Sequence, residues 1–196
     1  IEGLKTCFVF DWLTAMGGAE EVTRVLVDFL PGDVYTGQFN PAKFKWLDPS
    51  RVKTSWVDKM PLAHTKHYVY APILPHVYRS FDLTAYDLVI VFSHTLAHNI
   101  KKVRPDAKVV SYYCTPVRAL WYPEIDRRAS ASPLMKPLVA HLKKLDLEAS
   151  KRPDQAWAIS QTAADRIVET YKRPCDRVIF PPVDTQKFAD VDRVGD

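Results

Sequence analysis

Three short stretches of this chain, with one further carboxylate, carry residue types able to do chemistry. The first is Gly17-Gly18, set between the apolar run Cys7–Phe10 and a helical pattern in which Val22, Val25, Leu26 and Phe29 recur at i, i+3, i+4 and i+7. Glycine has no Cβ, so a ligand can come close to the backbone there. A helix start also offers unpaired N–H groups and the positive end of its dipole to an anion such as phosphate. The second stretch is Ser93-His94, whose imidazole can hold or pass a proton near neutral pH. The third is Cys114-Thr-Pro-Val-Arg118, in which the Arg118 guanidinium is a planar, two-pronged donor for phosphate. Asp11 closes the first apolar run and adds the carboxylate. Together these residues suit the handling of a phosphate-bearing molecule.

Each has a plainer alternative. A strand, two glycines and a helix read equally as an anion site or as a tight turn. The dinucleotide fingerprint G-x-G-x-x-G and the phosphate loop ending in Gly-Lys-Ser/Thr are both absent, which disfavours a nicotinamide- or flavin-dependent oxidoreductase. His94 can simply cap the helix that follows. His94 and His98 stand four apart, as in some zinc sites, but no H-E-x-x-H pattern accompanies them, and no metal is expected. Cys114 has no acid–base partner nearby in sequence, so it reads as a buried thiol and not a nucleophile. Arg118 can be a surface charge, and Pro116 a helix start.

These residues need elements to position them. Short β-branched runs at Lys5–Asp11, Asp33–Thr36, Val52–Ser55, Leu88–Phe92, Lys108–Tyr113, Ala156–Ile159 and Arg177–Ile179 predict strands. Helical patterns fall at Glu20–Leu30, Thr65–Phe81 (interrupted), Leu96–Val103, Pro116–Trp121, Pro133–Ser150 and Thr162–Tyr171. The alternation predicts an α/β fold: a Rossmann-like three-layer domain with a mainly parallel sheet. Leu88–Phe92 is apolar throughout, as a strand covered on both faces should be. In such sheets ligands sit beyond the carboxyl ends of the strands. Here those ends carry Asp11, Ser93-His94, Cys114–Arg118 and Ser160-Gln161.

Composition limits the alternatives. The chain has 196 residues, 47% of them hydrophobic, with a net charge of +4. That length fits one domain with an extension, and no basic tract of the nucleic-acid-binding type appears. Cys7, Cys114 and Cys175 are odd in number and widely spaced, which argues against a disulfide framework and for a reducing compartment. No signal peptide and no membrane-spanning run are expected. Two segments could touch other surfaces. Thr65–Phe81 is rich in aromatics, with Pro72 and Pro75 inside it, and could line a groove or meet a membrane; core packing through Val69, Ile73, Leu74 and Val77 is the alternative. Pro133–Ser150 has the apolar stripe Leu134, Leu138, Leu142, Leu145 and Ala149, with Lys136, His141, Lys143 and Lys144 off it. That is either a basic face for acidic head groups or a solvated helix face.

Four segments carry a resemblance to a known family. Asp11-Trp-Leu-Thr-Ala-Met-Gly-Gly-Ala-Glu20 looks like a Gly-Gly-x-Glu loop; Leu83–His94 is similar to a strand ending in a site histidine; Leu145–Ser160 resembles the passage into a last Rossmann helix; Ile179-Phe-Pro-Pro-Val-Asp-Thr-Gln-Lys-Phe188 looks like a Pro-Pro-Val-Asp-x-x-x-Phe junction. In this order they resemble the N-terminal domain of retaining GT-B glycosyltransferases of family 4, and within it the mannosyltransferases of surface-polysaccharide assembly. The family's pair of Glu residues, seven residues apart in a C-terminal nucleotide-sugar domain, has no match, since Glu occurs at 2, 20, 21, 124, 148 and 169. Cys114 also stands where relatives often carry His.

The resemblance implies an acceptor-side domain over 1–188, a linker starting at 189–196, and a donor-binding C-terminal domain that is absent, so that this domain would be inactive alone. It implies a transferase moving a hexose, best guess mannose, with retention from a nucleotide sugar such as GDP-mannose or a UDP-sugar to a lipid-linked or saccharide acceptor. His94 would be catalytic. Gly17, Gly18 and Glu20 would lie near the donor phosphate, and Asp11, Tyr112, Tyr113, Thr115 and Arg118 would bind the acceptor. No cofactor and no metal are implied. The expected partners are the chain's own donor domain, the acceptor and a membrane surface, not nucleic acid; the place is cytoplasmic, at the inner face of the plasma membrane. The alternative is a non-catalytic module binding a saccharide or lipid head group.

Overall fold

The apolar runs become the strands of one sheet in the computed structural model, which describes residues 3–126, 133–183 and 185. They are β1 (Thr6–Phe10), β2 (Asp33–Thr36), β3 (Val52–Thr54), β4 (Leu88–Ser93), β5 (Lys108–Tyr113), β6 (Gln155–Ala158) and β7 (Arg177–Val178). All pair in parallel, in the order β3-β2-β1-β4-β5-β6-β7. The architecture is therefore α/β with a Rossmann-like three-layer arrangement, as expected. The register sets Phe10 beside Phe92 and Ser93 beside Tyr113, so the ends of β1, β4 and β5 lie side by side. The expected strand ends are displaced by a residue or two at most. The expected linker at 189–196, and most of the Asp184–Phe188 half of the junction motif, lie outside the described residues.

Alternating side chains build the two cores. Phe8 and Phe10 of β1, with Val34, Phe92 and Tyr112, pack under α1 (Gly18–Phe29) and the Phe39–Leu47 loop. Cys7 and Val9, with Val89 and Val91, face α2 (Leu74–Ser80) and α4 (Lys136–Ser150). Each fully buried Phe contributes about 1.5–3 kcal/mol relative to exposure. A third cluster joins Tyr113, Ala156 and Ala158 to α5 (Gln161–Tyr171). Ser160 caps α5, its Oγ accepting the N–H of Ala163, and Lys172 ends it in the left-handed region at φ 52°.

Several expectations are corrected. The stripe of α1 is turned: Val22, Thr23 and Val27 are buried, whereas Val25 and Phe29 are exposed, Phe29 at 79%. The Thr65–Phe81 pattern splits into a 3₁₀ turn at His67–Tyr70 and α2, because Pro72 and Pro75 cannot donate backbone hydrogen bonds. Of its proposed core positions, Leu74 and Val77 are buried but Val69 and Ile73 are exposed. Leu96–Val103 is not a helix; only Ala97–Asn99 forms a 3₁₀ turn. There the Asn99 side chain donates to the Leu96 carbonyl and Arg152 to the Ile100 carbonyl, groups a continuing helix would use itself. Pro116–Trp121 shortens to α3 (Arg118–Trp121). Leu134, expected on the apolar stripe of Pro133–Ser150, lies in a 3₁₀ turn ahead of α4 and is 89% exposed.

Candidate functional site

After β1 the chain crosses to β2 on one side, and after β4 it crosses to β5 on the other. The ends of β1 and β4 thus form the topological switch point, where open α/β sheets bind ligands. Asp11 follows β1 and His94 follows β4.

Asp11 is 3% exposed, and each of its oxygens is engaged. Oδ1 accepts the backbone N–H groups of Leu96 (2.7 Å) and Ala97 (2.8 Å). Oδ2 accepts those of His94 (2.7 Å) and Thr95 (2.8 Å). Burial pushes the carboxyl pKa up, but the His94 charge and the bonds from Thr95 and Leu96 outweigh it, and the net shift is downward. Asp11 therefore holds the 93–97 turn. Its expected acceptor-binding role is corrected, because no oxygen is left facing a ligand.

That carboxylate also lies against the imidazole. His94 Nδ1 lies 3.1 Å from Asp11 Oδ2, and its Nε2 lies 3.9 Å from Glu20 Oε1. The ring N–H does not aim along the Asp11 contact, so the two groups meet as charges in close approach and not through a hydrogen bond. Glu20 is the third residue of α1. The backbone N–H groups of Glu20 and Gly17 at the start of α1 favour its charged form. Burial pushes the Glu20 carboxyl above its usual range. Gly17 is the extended N-cap of α1, and a Cβ there would lie 3.0 Å from Glu20 Oε2. Gly18 opens the helix, and a Cβ on it would meet nothing within 4 Å.

Beside His94 opens a pocket of about 240 Å³ whose lining is mostly apolar. Its wall joins the strand ends (Trp12, Leu96), α3 (Arg118, Leu120) and α4 (Leu138, Leu142). Trp12 packs between two imidazoles, with ring centroids 4.7 Å from His67 and 5.2 Å from His94. His67 in turn contacts Thr14 Oγ1 at 2.8 Å, which ties the aromatic segment to the β1–α1 loop. Trp12 and His67 carry no motif; the nearest hint of Trp12 was its position directly after Asp11.

Gly17, Gly18, Glu20, His94 and Arg118 thus gather around the β1–β4 rim. The other expected acceptor residues do not. Tyr113 is corrected outright: it is 0% exposed and packs against His98 and Tyr171 below the rim. Tyr112 is buried on the α1 side and donates its hydroxyl to the Ile179 carbonyl. Thr115 is half-buried and faces Arg166 at 3.5 Å. Burial and the nearby Asp11 and Glu20 charges push the Cys114 thiol up to about 12, so it is no thiolate.

His94 and His98 diverge despite their spacing. His98 is 1% exposed, with Nδ1 3.1 Å from Ser93 Oγ and Nε2 2.8 Å from Asp146 Oδ1, although the ring N–H does not aim along that last contact. Asp146 also accepts from Trp121 Nε1 at 2.6 Å. Among the described residues, no group of three or more His, Cys, Asp or Glu side chains is placed to hold a metal ion, and no helix is long and apolar enough to cross a membrane.

No protein-family model matches this chain, and no curated protein is significantly similar to it.

Proposed function

We propose that this chain is the acceptor-side domain of a retaining glycosyltransferase, moving a hexose, best guess mannose, from a nucleotide sugar to a lipid-linked or saccharide acceptor. The observation that carries the reading is the meeting of His94, Glu20 and the Gly17-Gly18 helix start at one rim, with Arg118 across an open pocket. In such a transfer the sugar becomes oxocarbenium-like while negative charge grows on the leaving diphosphate. Catalysis then rests on positioned donors for that charge and on holding the acceptor hydroxyl close. The free space above Gly18 suits a diphosphate approaching the start of α1. His94, packed against Asp11 and Trp12, would offer its imidazole to a sugar hydroxyl or the reacting oxygen. The nucleotide would be held largely by a second domain.

The exposed apolar side chains Tyr68, Val69 and Leu134, near Lys66 and Lys136 in sequence, support peripheral contact with an anionic membrane on the cytoplasmic side. The apolar pocket also favours a second reading, a binding module for a lipid head group without turnover. The two separate in one assay. The chain joined to its C-terminal half is tested for transfer from GDP-mannose and UDP-sugars. Transfer that falls on His94→Ala is expected; no transfer with any donor would overturn the enzyme reading and leave the module.

A further inference from the structure

We propose that Glu20 and His94 together bind one hydroxyl of a sugar, its oxygen seated between Glu20 Oε1 and His94 Nε2. The inference rests on the transferase reading for what that sugar is used for. It moves Glu20 from the donor phosphate, where the family resemblance puts it, to a sugar hydroxyl.

The argument begins with distance. Glu20 Oε1 lies 3.9 Å from His94 Nε2, too far for a direct hydrogen bond. A polar gap of that width is the span of two hydrogen bonds that meet at one oxygen. With each bond at about 2.8 Å, the two meet at roughly 90°, an angle that a hydroxyl accommodates while it donates one bond and accepts the other.

Space and partners fit the same oxygen. Both side chains line a hollow of about 10 Å³, on the order of the volume that one water-sized oxygen occupies. Phe10 and Phe92 of the buried core also line it, so it goes no deeper, and a phosphate group does not fit. Two other polar side chains of its wall are already engaged. Asp11 accepts four backbone N–H groups, and Thr23 Oγ1 donates to the Ala19 carbonyl. That leaves Glu20 and His94 to pair with what enters. The hollow shares Trp12 and His94 with the larger pocket, so a sugar in that open space has it within reach.

Charge selects the hydroxyl over a phosphate. Burial pushes the Glu20 carboxyl above its usual range, and the nearby Asp11 charge adds to the rise. A carboxyl that takes up a proton readily both donates and accepts, as a hydroxyl partner requires. An anion placed beside Glu20 and Asp11 would meet like charge.

The test follows binding without any nucleotide. The 196-residue chain, labelled with ¹⁵N, is titrated by NMR with methyl α-mannoside, methyl α-glucoside and inorganic phosphate. The imidazole resonances of His94, identified by their absence in His94→Gln, are the readout. At least one glycoside is expected to shift them saturably, and inorganic phosphate is not. Glu20→Gln, which keeps a donor and an acceptor, should bind the glycoside within a few-fold of wild type. Glu20→Leu, which has neither, should bind it about tenfold more weakly, the loss of one hydrogen bond. Ala19→Leu fills the hollow from α1 and serves if Glu20→Leu does not fold, as judged by circular dichroism. No shift with either glycoside, or unchanged binding in these two variants, overturns the proposal. A shift by inorganic phosphate that Glu20→Leu abolishes also overturns it and returns Glu20 to the phosphate. In the joined enzyme, a KM that rises in Glu20→Leu for the nucleotide sugar assigns the hydroxyl to the donor; a KM that rises for the acceptor assigns it to the acceptor, and both support the contact. Glycoside binding with no transfer by the joined enzyme keeps the contact and loses the reaction. Transfer that ignores Glu20→Leu loses the contact alone.

Discussion

Oδ2 of Asp11 lies 3.1 Å from Nδ1 of His94 and also accepts the backbone N–H of the same residue at 2.7 Å. One carboxylate therefore fixes the backbone of His94 and lies against its ring. The contact crosses 83 residues of sequence and joins neighbouring strands at the switch point.

Asp11→Ala leaves four N–H groups, two of them buried and two part-buried, without their acceptor and should destabilise the fold by about 3–5 kcal/mol, measured by urea denaturation. The same group gives the fold an acid limit. Its folded pKa is lowered, so its contribution is fully present above the unfolded value of 3.8 and is lost as pH falls through the folded value. The urea midpoint of the wild-type protein should therefore drop as pH is taken below about 4, and that part of the loss should be missing in Asp11→Ala.

His98 and Asp146 form a buried pair at 2.8 Å. Removing one partner by His98→Leu or Asp146→Leu should cost about 3–5 kcal/mol, whereas the double variant should recover a large part of that loss. A double-mutant cycle in urea reads the difference. Equal, additive losses would show that the two residues act independently.

The two glycines should separate stability from ligand approach. Gly17→Ala would press a Cβ against Glu20 Oε2 at 3.0 Å and shift the carboxylate that faces His94. Gly18→Ala has open space and a better helix former, so its melting temperature should hold or rise by an increment worth up to about 1 kcal/mol. If a diphosphate approaches that helix start, Gly18→Ala should nonetheless raise the KM for nucleotide sugar in the joined enzyme. An unchanged KM would count against the approach.

His94→Gln removes the imidazole while leaving the backbone N–H that Asp11 accepts. Transfer by the joined enzyme should fall by about 10²–10⁴-fold, the usual range for a positioned acid–base group, with the fold retained by circular dichroism. A fall of less than about tenfold would leave His94 as a structural neighbour of Asp11.

Strand identity and the strand ends that meet at the switch point were legible in the sequence, because period, β-branching and alternation with helices are local properties. Asp33–Thr36 and Lys108–Tyr113 match residue for residue. The errors fall where a distant partner wins. Leu96–Val103 has a helical pattern, yet Asp11 and Arg152 take up its backbone groups. Tyr113 sits at a strand end like His94, but strand alternation sends it into the core beside His98. Phe29 fits the apolar period of α1 and is nevertheless exposed, because Val22 and Val27 set how the helix lies on the sheet.

The order of residue types along the chain alone determined a parallel α/β sheet and put Asp11, His94 and Arg118 at its carboxyl rim, since these follow from local periodicity and from the handedness of strand crossovers. Only tertiary structure decided what each residue does there. Asp11 became a buried anchor and Trp12 and Arg118 parts of a pocket wall, because hydrogen bonding and desolvation depend on neighbours that lie tens of residues away in sequence and are adjacent only in space.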